Sequence, residues 1–424
     1  MKLITFQKLN RYYFLFLIYF SVTIIRTQIN SSLFGTKLEK SGYFLRMQTH
    51  IISHFISFIP YYIGIHLGKK TENKGAKNEA PSEKSSIYYL YNDSQYFGKH
   101  VLKYTLLISI LDFFSEASVF LFYFANDEPN VTSLHYMNIN LIFNTVSLYI
   151  VSFFVLKTHF YKHHYLSFGI NLICFLLVFI NDIMQLVYKE VTNYKFYIYV
   201  IVRLIRLVLI CFLDCYYKLG IFSTGHSVHS LLAYKGIYET IMLIFFSIPF
   251  IFIKMDELYV NDSSIFVAFS EYFSGIKILY SILLIIISYI INLLILLIID
   301  KFSPSHLTLS ITFESLGTDI YKLIVNIAEG KETPWYNFVN FGIYIILFIG
   351  AMIHNEIFII NRCGFHEKTK LYLNKEFIEE NMNDGNMDIE DDDDNKIKKD
   401  VNIPLNDINE DNNILFRLKE YYFI

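Results

Sequence analysis

Apolar residues along this chain fall into long unbroken runs separated by polar stretches, with none of the alternation that marks half-buried strands. Ten such runs cover about 11–29, 47–68, 101–125, 133–156, 165–187, 195–216, 229–253, 276–299, 305–328 and 336–360. A helix needs roughly 20 apolar residues to cross the hydrocarbon core of a bilayer. Continuous runs of that length predict membrane-spanning helices, because a transmembrane barrel would alternate apolar and polar positions. The cleanest are 276–299 and 338–360, and the second and ninth are the least apolar. The first run is long, ends in Arg26-Thr27-Gln28 and lacks a small-residue cleavage site. It therefore predicts a retained signal-anchor helix in place of a cleaved leader.

Composition agrees with that pattern. The 424 residues are 54% apolar and 18% charged, with mean hydropathy +0.38. A soluble protein carries about a quarter charged residues, so much of this surface is expected to face lipid. The net charge of −3 gives no reason to expect nucleic acid as a partner. Cys174, Cys211, Cys215 and Cys363 lack metal-ligand spacing and read as packing residues.

Charge placement orients the runs. With the N-terminus (residues 1–10) cytosolic, one side collects Lys2, Lys8, Arg11, Lys69, Lys70, Lys157, Lys162, Lys218, Lys301 and Arg362. The other collects fewer, among them Lys37, Arg46, Lys189 and Lys254, beside Asp256, Glu257 and Asp262. The positive-inside bias puts both termini in the cytosol, as an even number of spans requires. The loop 69–99 and the acidic tail 375–424 are expected to be disordered by composition. Of the sequons, Asn261 has the loop length for lumenal glycosylation, Asn30 and Asn130 lie close to the membrane, and Asn92 falls on the cytosolic side.

Two halves are suggested by repeats. Ser133 and His306, 173 residues apart, each open a helix after a polar turn; Phe168-Gly169-Ile170 recurs at the same offset as Phe341-Gly342-Ile343. Ile59-Pro60 is echoed by Ile248-Pro249 at a larger offset. An odd number of helices per half makes the halves inverted relative to each other. The expected fold is therefore all-α and polytopic, with about ten transmembrane helices in two inverted five-helix repeats, 11–187 and 195–362.

Three stretches carry a family resemblance: Ile108–Phe122 (ISILDFFSEASVFLF), Leu231–Ile237 (LLAYKGI) and Ile298–Ser310 (IIDKFSPSHLTLS). With them, the chain resembles the drug/metabolite transporter superfamily, which includes the solute carrier family 35 and chloroquine-resistance-transporter-like proteins. Arg26 and the weakly apolar ninth run depart from the common pattern, and no substrate-binding signature is matched. The resemblance implies a carrier in an endomembrane such as Golgi, ER or vacuole.

Polar residues inside the runs are the candidate chemistry, because a charge at the bilayer centre costs about 2.5–3.5 kcal/mol on insertion scales and normally faces a cavity or a partner. Asp112, Ser115 and Glu116 share one turn of the third run, and Asn140 and Asn144 one face of the fourth. Arg203 and Arg206 suit an anionic solute or an ion pair with Asp112, Glu116 or Glu314. Ser310, Glu314 and Thr318 recur every fourth residue of the ninth run, making a cavity wall or a polar seam. Carboxylates in such a cavity can also couple transport to protons. His159, His163 and His164 sit near lysines, as a headgroup-facing basic loop or a metal site. No Walker A loop, G-x-S-x-G, H-E-x-x-H or Rossmann fingerprint occurs.

The expectation is a non-enzymatic secondary carrier of a small polar or anionic solute, without cofactor. Its partners are lipid bilayer and solute, with a homodimer allowed. A membrane-embedded transferase and a non-transporting scaffold or receptor are the alternatives.

Overall fold

A computed structural model describes residues 4–6, 14–34, 40–63, 99–125, 137–158, 160–188, 194–224, 228–252, 275, 277–328, 330, 335–366, 369 and 372. Among them, each apolar run is occupied by a helix. These are α1 (Phe14–Phe34), α2 (Lys40–Phe55), α3 (Lys99–Ala125), α4 (Met137–Val155), α5 (Lys162–Tyr188), α6 (Tyr194–Thr224), α7 (Val228–Phe252), α8 (Lys277–Lys301), α9 (Pro304–Ala328) and α10 (Trp335–His354). Stretches within α3, α5, α7 and α8 are long and apolar enough to cross a membrane: Lys103–Leu121, Lys162–Asn181, Val228–Phe250 and Lys277–Lys301. Shorter apolar helical stretches occupy Phe14–Ile29, Ile142–Val155 and Phe338–His354. The loop 69–99 apart from its last residue, the tail 375–424 and the sequon Asn261 lie outside the described residues.

Apolar side chains both fill the interior and cover the outside of the bundle. Large ones such as Leu17, Phe154, Ile173 and Phe245 stand outward, while Asp112, Lys218, Lys235 and Glu239 are buried. An apolar outer surface is what a helix bundle surrounded by lipid requires, with polar groups gathered inside.

Helix packing gives the topology. The close pairs are α1·α8, α3·α6, α2·α7, α5·α10, α4·α6, α2·α8, α3·α7, α4·α5, α9·α10, α2·α3, α7·α8, α4·α9 and α1·α9, with α8 also against α6 and α9. The α5·α10 seam is antiparallel and polar. Ser167 donates to the Gly350 carbonyl at 2.6 Å, and Asn181 to the Asn340 side chain at 2.8 Å. A Cβ at Gly350 would lie 2.6 Å from Asn171 Oδ1, so only glycine lets α10 approach so closely. Along α3·α7, Phe113, Phe120, Phe246 and Phe250 interlock edge to face.

Helix ends follow local chemistry. At the start of α9, Pro304 stands first, preceded by Ser303, whose hydroxyl meets His306 Nδ1 at 2.8 Å. At the end of α8, the Lys218 ammonium of α6 donates to three backbone carbonyls, Ile299 (3.0 Å), Asp300 (3.0 Å) and Phe302 (2.9 Å). A cation is well placed there, where carbonyls lack helical partners and the dipole is negative. After α2 the chain turns at 56–57 and resumes helix through 63, with the Ile56 and Ser57 amides bonded three residues back.

The last run, expected as helix to 360, stops earlier. Glu356 takes φ 57°, its amide bonds to Ile353 and the Ile357 amide to Met352. This is a Schellman closure with a glutamate where glycine is usual. Residues Phe358–Ile360 (β2) then pair antiparallel with Ile4–Phe6 (β1), with Thr5 opposite Ile359. The strand that precedes α1 in the chain is thus joined to the one that follows α10.

Replacing Lys218 by Met leaves three carbonyls of the α8 terminus without their charged donor. Hydrogen bonds to charged groups contribute about 1.5–3 kcal/mol, so Lys218→Met is expected to lower stability by roughly that amount. Thermal unfolding of the purified protein in detergent reads it, and an unchanged midpoint would remove the cap's importance.

Candidate functional site

Five helices bring polar side chains to one buried point, and four of them contribute ionisable groups. α7 contributes Lys235 and Glu239, one turn apart, and α3 contributes Asp112. α2 contributes His50 and His54, again one turn apart; α6 contributes Tyr217 and α8 Asn292. Lys235, His54 and Glu239 are essentially inaccessible.

Lys235 is the hub. Its ammonium pairs with Asp112 Oδ2, lies 3.6 Å from Glu239 Oε1 and donates to the Tyr217 hydroxyl at 2.5 Å. His54 Nε2 meets the Asn292 amide nitrogen at 2.9 Å and the Lys235 ammonium at 3.4 Å. Both neighbours are donors, so this nitrogen accepts and Nδ1 carries the hydrogen. That hydrogen goes to Glu239 Oε2 at 2.6 Å. Asn292 also donates to Ser53 Oγ at 3.3 Å. His50 Nε2 meets Asp112 Oδ2 at 3.2 Å, and His50 is the most accessible of the ionisable members, with 17% of its side chain exposed.

The helices can approach this closely because of Gly236. A Cβ there would sit 3.0 Å from the His54 Cβ and 3.1 Å from its carbonyl carbon. Burying unpaired charges is costly, and the cluster avoids that by giving its single ammonium two carboxylates and a hydroxyl. With His54 neutral, one ammonium faces two carboxyl groups.

The sequence candidates separate into groups. Asp112 belongs to the cluster, and Ser115 caps its carbonyl at 2.9 Å within α3. Asp112 meets Lys235 and His50, not either of the arginines suggested as its partners. Glu116 pairs with Arg206, joining α3 to α6 one turn further along. Arg203 lies half-buried on α6. Asn144 accepts from the Cys211 thiol at 3.2 Å, so its work is holding α4 to α6. Ser310 bonds back to the His306 carbonyl at 3.3 Å, and Glu314 faces Thr23 and Arg26 of α1. The side chains of Asn140 and Thr318 lie outside the described residues. The α9 residues thus lie at the α1 contact, apart from the Lys235 cluster.

Lys235, Glu239, His50, His54, Tyr217 and Asn292 escaped the sequence reading. A signal was available, because Lys235-x-x-x-Glu239 is an i, i+4 pair inside an apolar run, as is His50-x-x-x-His54. His163 and His164 also differ from expectation. They open α5 and are buried, where a headgroup-facing loop would be exposed; His159 lies outside the described residues. No known family model matches the chain, and no curated protein matches it either.

Removing Asp112 alone strips Lys235 of its nearest counter-charge. Breaking one side of a buried pair costs about 3–5 kcal/mol, so Asp112→Leu is expected to lose roughly that much stability. The double variant Asp112→Leu/Lys235→Met is expected to recover much of it, with Glu239 still held by His54. Equal losses in the single and double variants, read by thermal unfolding in detergent, would show the two residues to be uncoupled.

Proposed function

We propose that this protein is a secondary transporter that carries a small polar solute across an endomembrane by alternating access, without chemistry on the solute. The observation that carries the reading is the pattern of helix pairs around the Lys235 cluster. Advancing every helix number by five, cyclically, turns α1·α8 into α3·α6, α2·α8 into α3·α7 and α2·α3 into α7·α8. The same operation turns α4·α5 into α9·α10 and α4·α6 into α1·α9, and returns α2·α7, α4·α9 and α5·α10 to themselves, whereas α6·α8, α6·α9 and α8·α9 fall outside the pattern. Such a pattern is what two similar five-helix halves related by a twofold axis produce, and an odd number per half inverts them in the membrane. Further support comes from the β1·β2 pairing, which is compatible with both ends on one side, and from the apolar outer surface around buried charged groups. The positive-inside bias makes that side the cytosol. The sequence resemblance to the drug/metabolite transporters points the same way.

In this reading all ten helices span, and the two halves rock about a midplane knot. The knot is the Lys235 cluster, which ties α2 and α3 of the first half to α6, α7 and α8 of the second. In this reading the cluster exchanges one proton, which enters by way of His50, beside Asp112 and with 17% of its side chain exposed. A group that gains and loses one charge as access alternates couples solute movement to protons. Arg203, and the Ser310 and Glu314 face of α9, supply polar contacts for the solute.

Reconstitution into liposomes tests this. A thermal-shift screen of polar metabolites selects the solute, and exchange of the radiolabelled compound is then followed with and without a pH gradient. Wild-type protein is expected to accumulate solute in response to the gradient. His50→Gln is expected to retain exchange but lose the response. If no solute exchanges, the carrier reading fails. If His50→Gln still follows the gradient, the proton assignment fails. Unchanged exchange in both Arg203→Ala and Glu314→Ala would remove the solute contacts from these residues.

A further inference from the structure

A second buried cluster lies away from the Lys235 site, where the start of α5 meets the turn that ends α10. His163 and His164, the second and third residues of α5, are 4% and 5% exposed, and Glu356 is 3% exposed. One ligand atom from each, a ring nitrogen or a carboxylate oxygen, falls within 4.8 Å of the others. His354 is close by, its ring centroid 4.7 Å from that of His164 and stacked at 3.9 Å on Tyr149.

The hydrogen bonding of this group is incomplete without a further partner. His163 Nε2 faces Glu356 Oε1 at 3.3 Å but without hydrogen-bond alignment, and neither ring nitrogen of His163 has a hydrogen-bond partner among the described residues. The Nδ1 of His354 is buried in the same condition. A neutral imidazole sealed from water with both nitrogens unengaged is unfavourable, since buried polar groups are normally satisfied. The carboxylate is also held there against backbone preference, because Glu356 occupies the left-handed position of the Schellman turn where glycine is usual.

We propose that His163, His164 and Glu356 bind a divalent transition metal of the zinc class, which clasps the start of α5 to the turn after α10. Two imidazoles and a carboxylate are a known zinc donor set, leaving a fourth position for water or for the adjacent His354. Borderline nitrogen donors with one oxygen favour zinc, cobalt or nickel over magnesium or calcium, which prefer all-oxygen cages. His164 accepts the Tyr161 amide on Nδ1 at 3.0 Å, a capping contact at the first turn of α5. Ligation through Nε2 places the ring hydrogen on Nδ1, so this capping contact is exchanged for the metal bond and metal binding depends on the His164 tautomer. The site is distinct from His50, His54 and Asp112, whose shared space already holds the Lys235 ammonium.

The test uses the full chain, purified in detergent, stripped with chelator and titrated with cobalt(II) or zinc. Expected are one saturable site per chain, the visible absorption of low-symmetry nitrogen- and oxygen-bound cobalt, and a higher unfolding temperature with metal. His163→Ala is expected to weaken binding by at least about tenfold. Glu356→Gly is the sharper variant, because glycine suits the left-handed backbone: the metal-free protein should unfold no lower than wild type while binding falls by a similar factor. His50→Ala should bind metal as wild type does. No saturable binding by wild type, or wild-type affinity in both His163→Ala and Glu356→Gly, would overturn the proposal, as would loss of the site in His50→Ala.

Discussion

The Lys235 ammonium is the charge around which the other buried groups are arranged. Sealed from solvent, it must be met by acceptors from whichever helices surround it, and those acceptors come from four of them: Asp112 of α3, Glu239 of its own α7, Tyr217 of α6 and His54 of α2. Each contact fixes a helix at one height and rotation, because a buried ion has few tolerable geometries. Gly236, one residue further along, removes the Cβ that would keep α2 and α7 apart. The charge and the close approach are therefore neighbours in sequence as well as in space.

The surrounding bundle uses milder versions of the same device. Lys218 closes the end of α8, Glu116 meets Arg206 across α3 and α6, and Ser167 and Asn181 stitch α5 to α10. Apolar side chains in such an arrangement fill space between these polar contacts and cover the outside. Where lipid surrounds a bundle, contacts among apolar groups have little preference for inside over outside, so specificity falls to polar pairs and small residues. The His163–Glu356 group fits this logic at the end of the bundle, where α5 and the segment after α10 have no apolar core to hold them.

How much was readable before the fold depended on the range of the interaction involved. Each of the ten continuous apolar runs holds a helix among the described residues, with most boundaries within a few residues, because helix formation in apolar runs is a local matter. The exceptions have local causes of another kind. Past Asn355 the final run leaves the helix, since Glu356 adopts a left-handed conformation and Phe358–Ile360 finds a strand partner 350 residues away in Ile4–Phe6. Candidate polar residues were chosen mainly by their density within a run, which selected Asp112 and Glu116 but passed over the paired spacing of Lys235 with Glu239.

By itself, then, the sequence determined that the chain is helical and apolar-faced, where its helices run and which carboxylates lie inside them. Hydropathy and helix geometry act over a single turn or a single run, so they are written along the chain. Only the tertiary structure decided that Asp112 answers Lys235 and not Arg203, that Arg206 answers Glu116, and that His163 meets Glu356. Those choices rest on which helices touch and at what height, and contacts between residues as far apart as His54 and Glu239 leave no local trace in the chain that forms them.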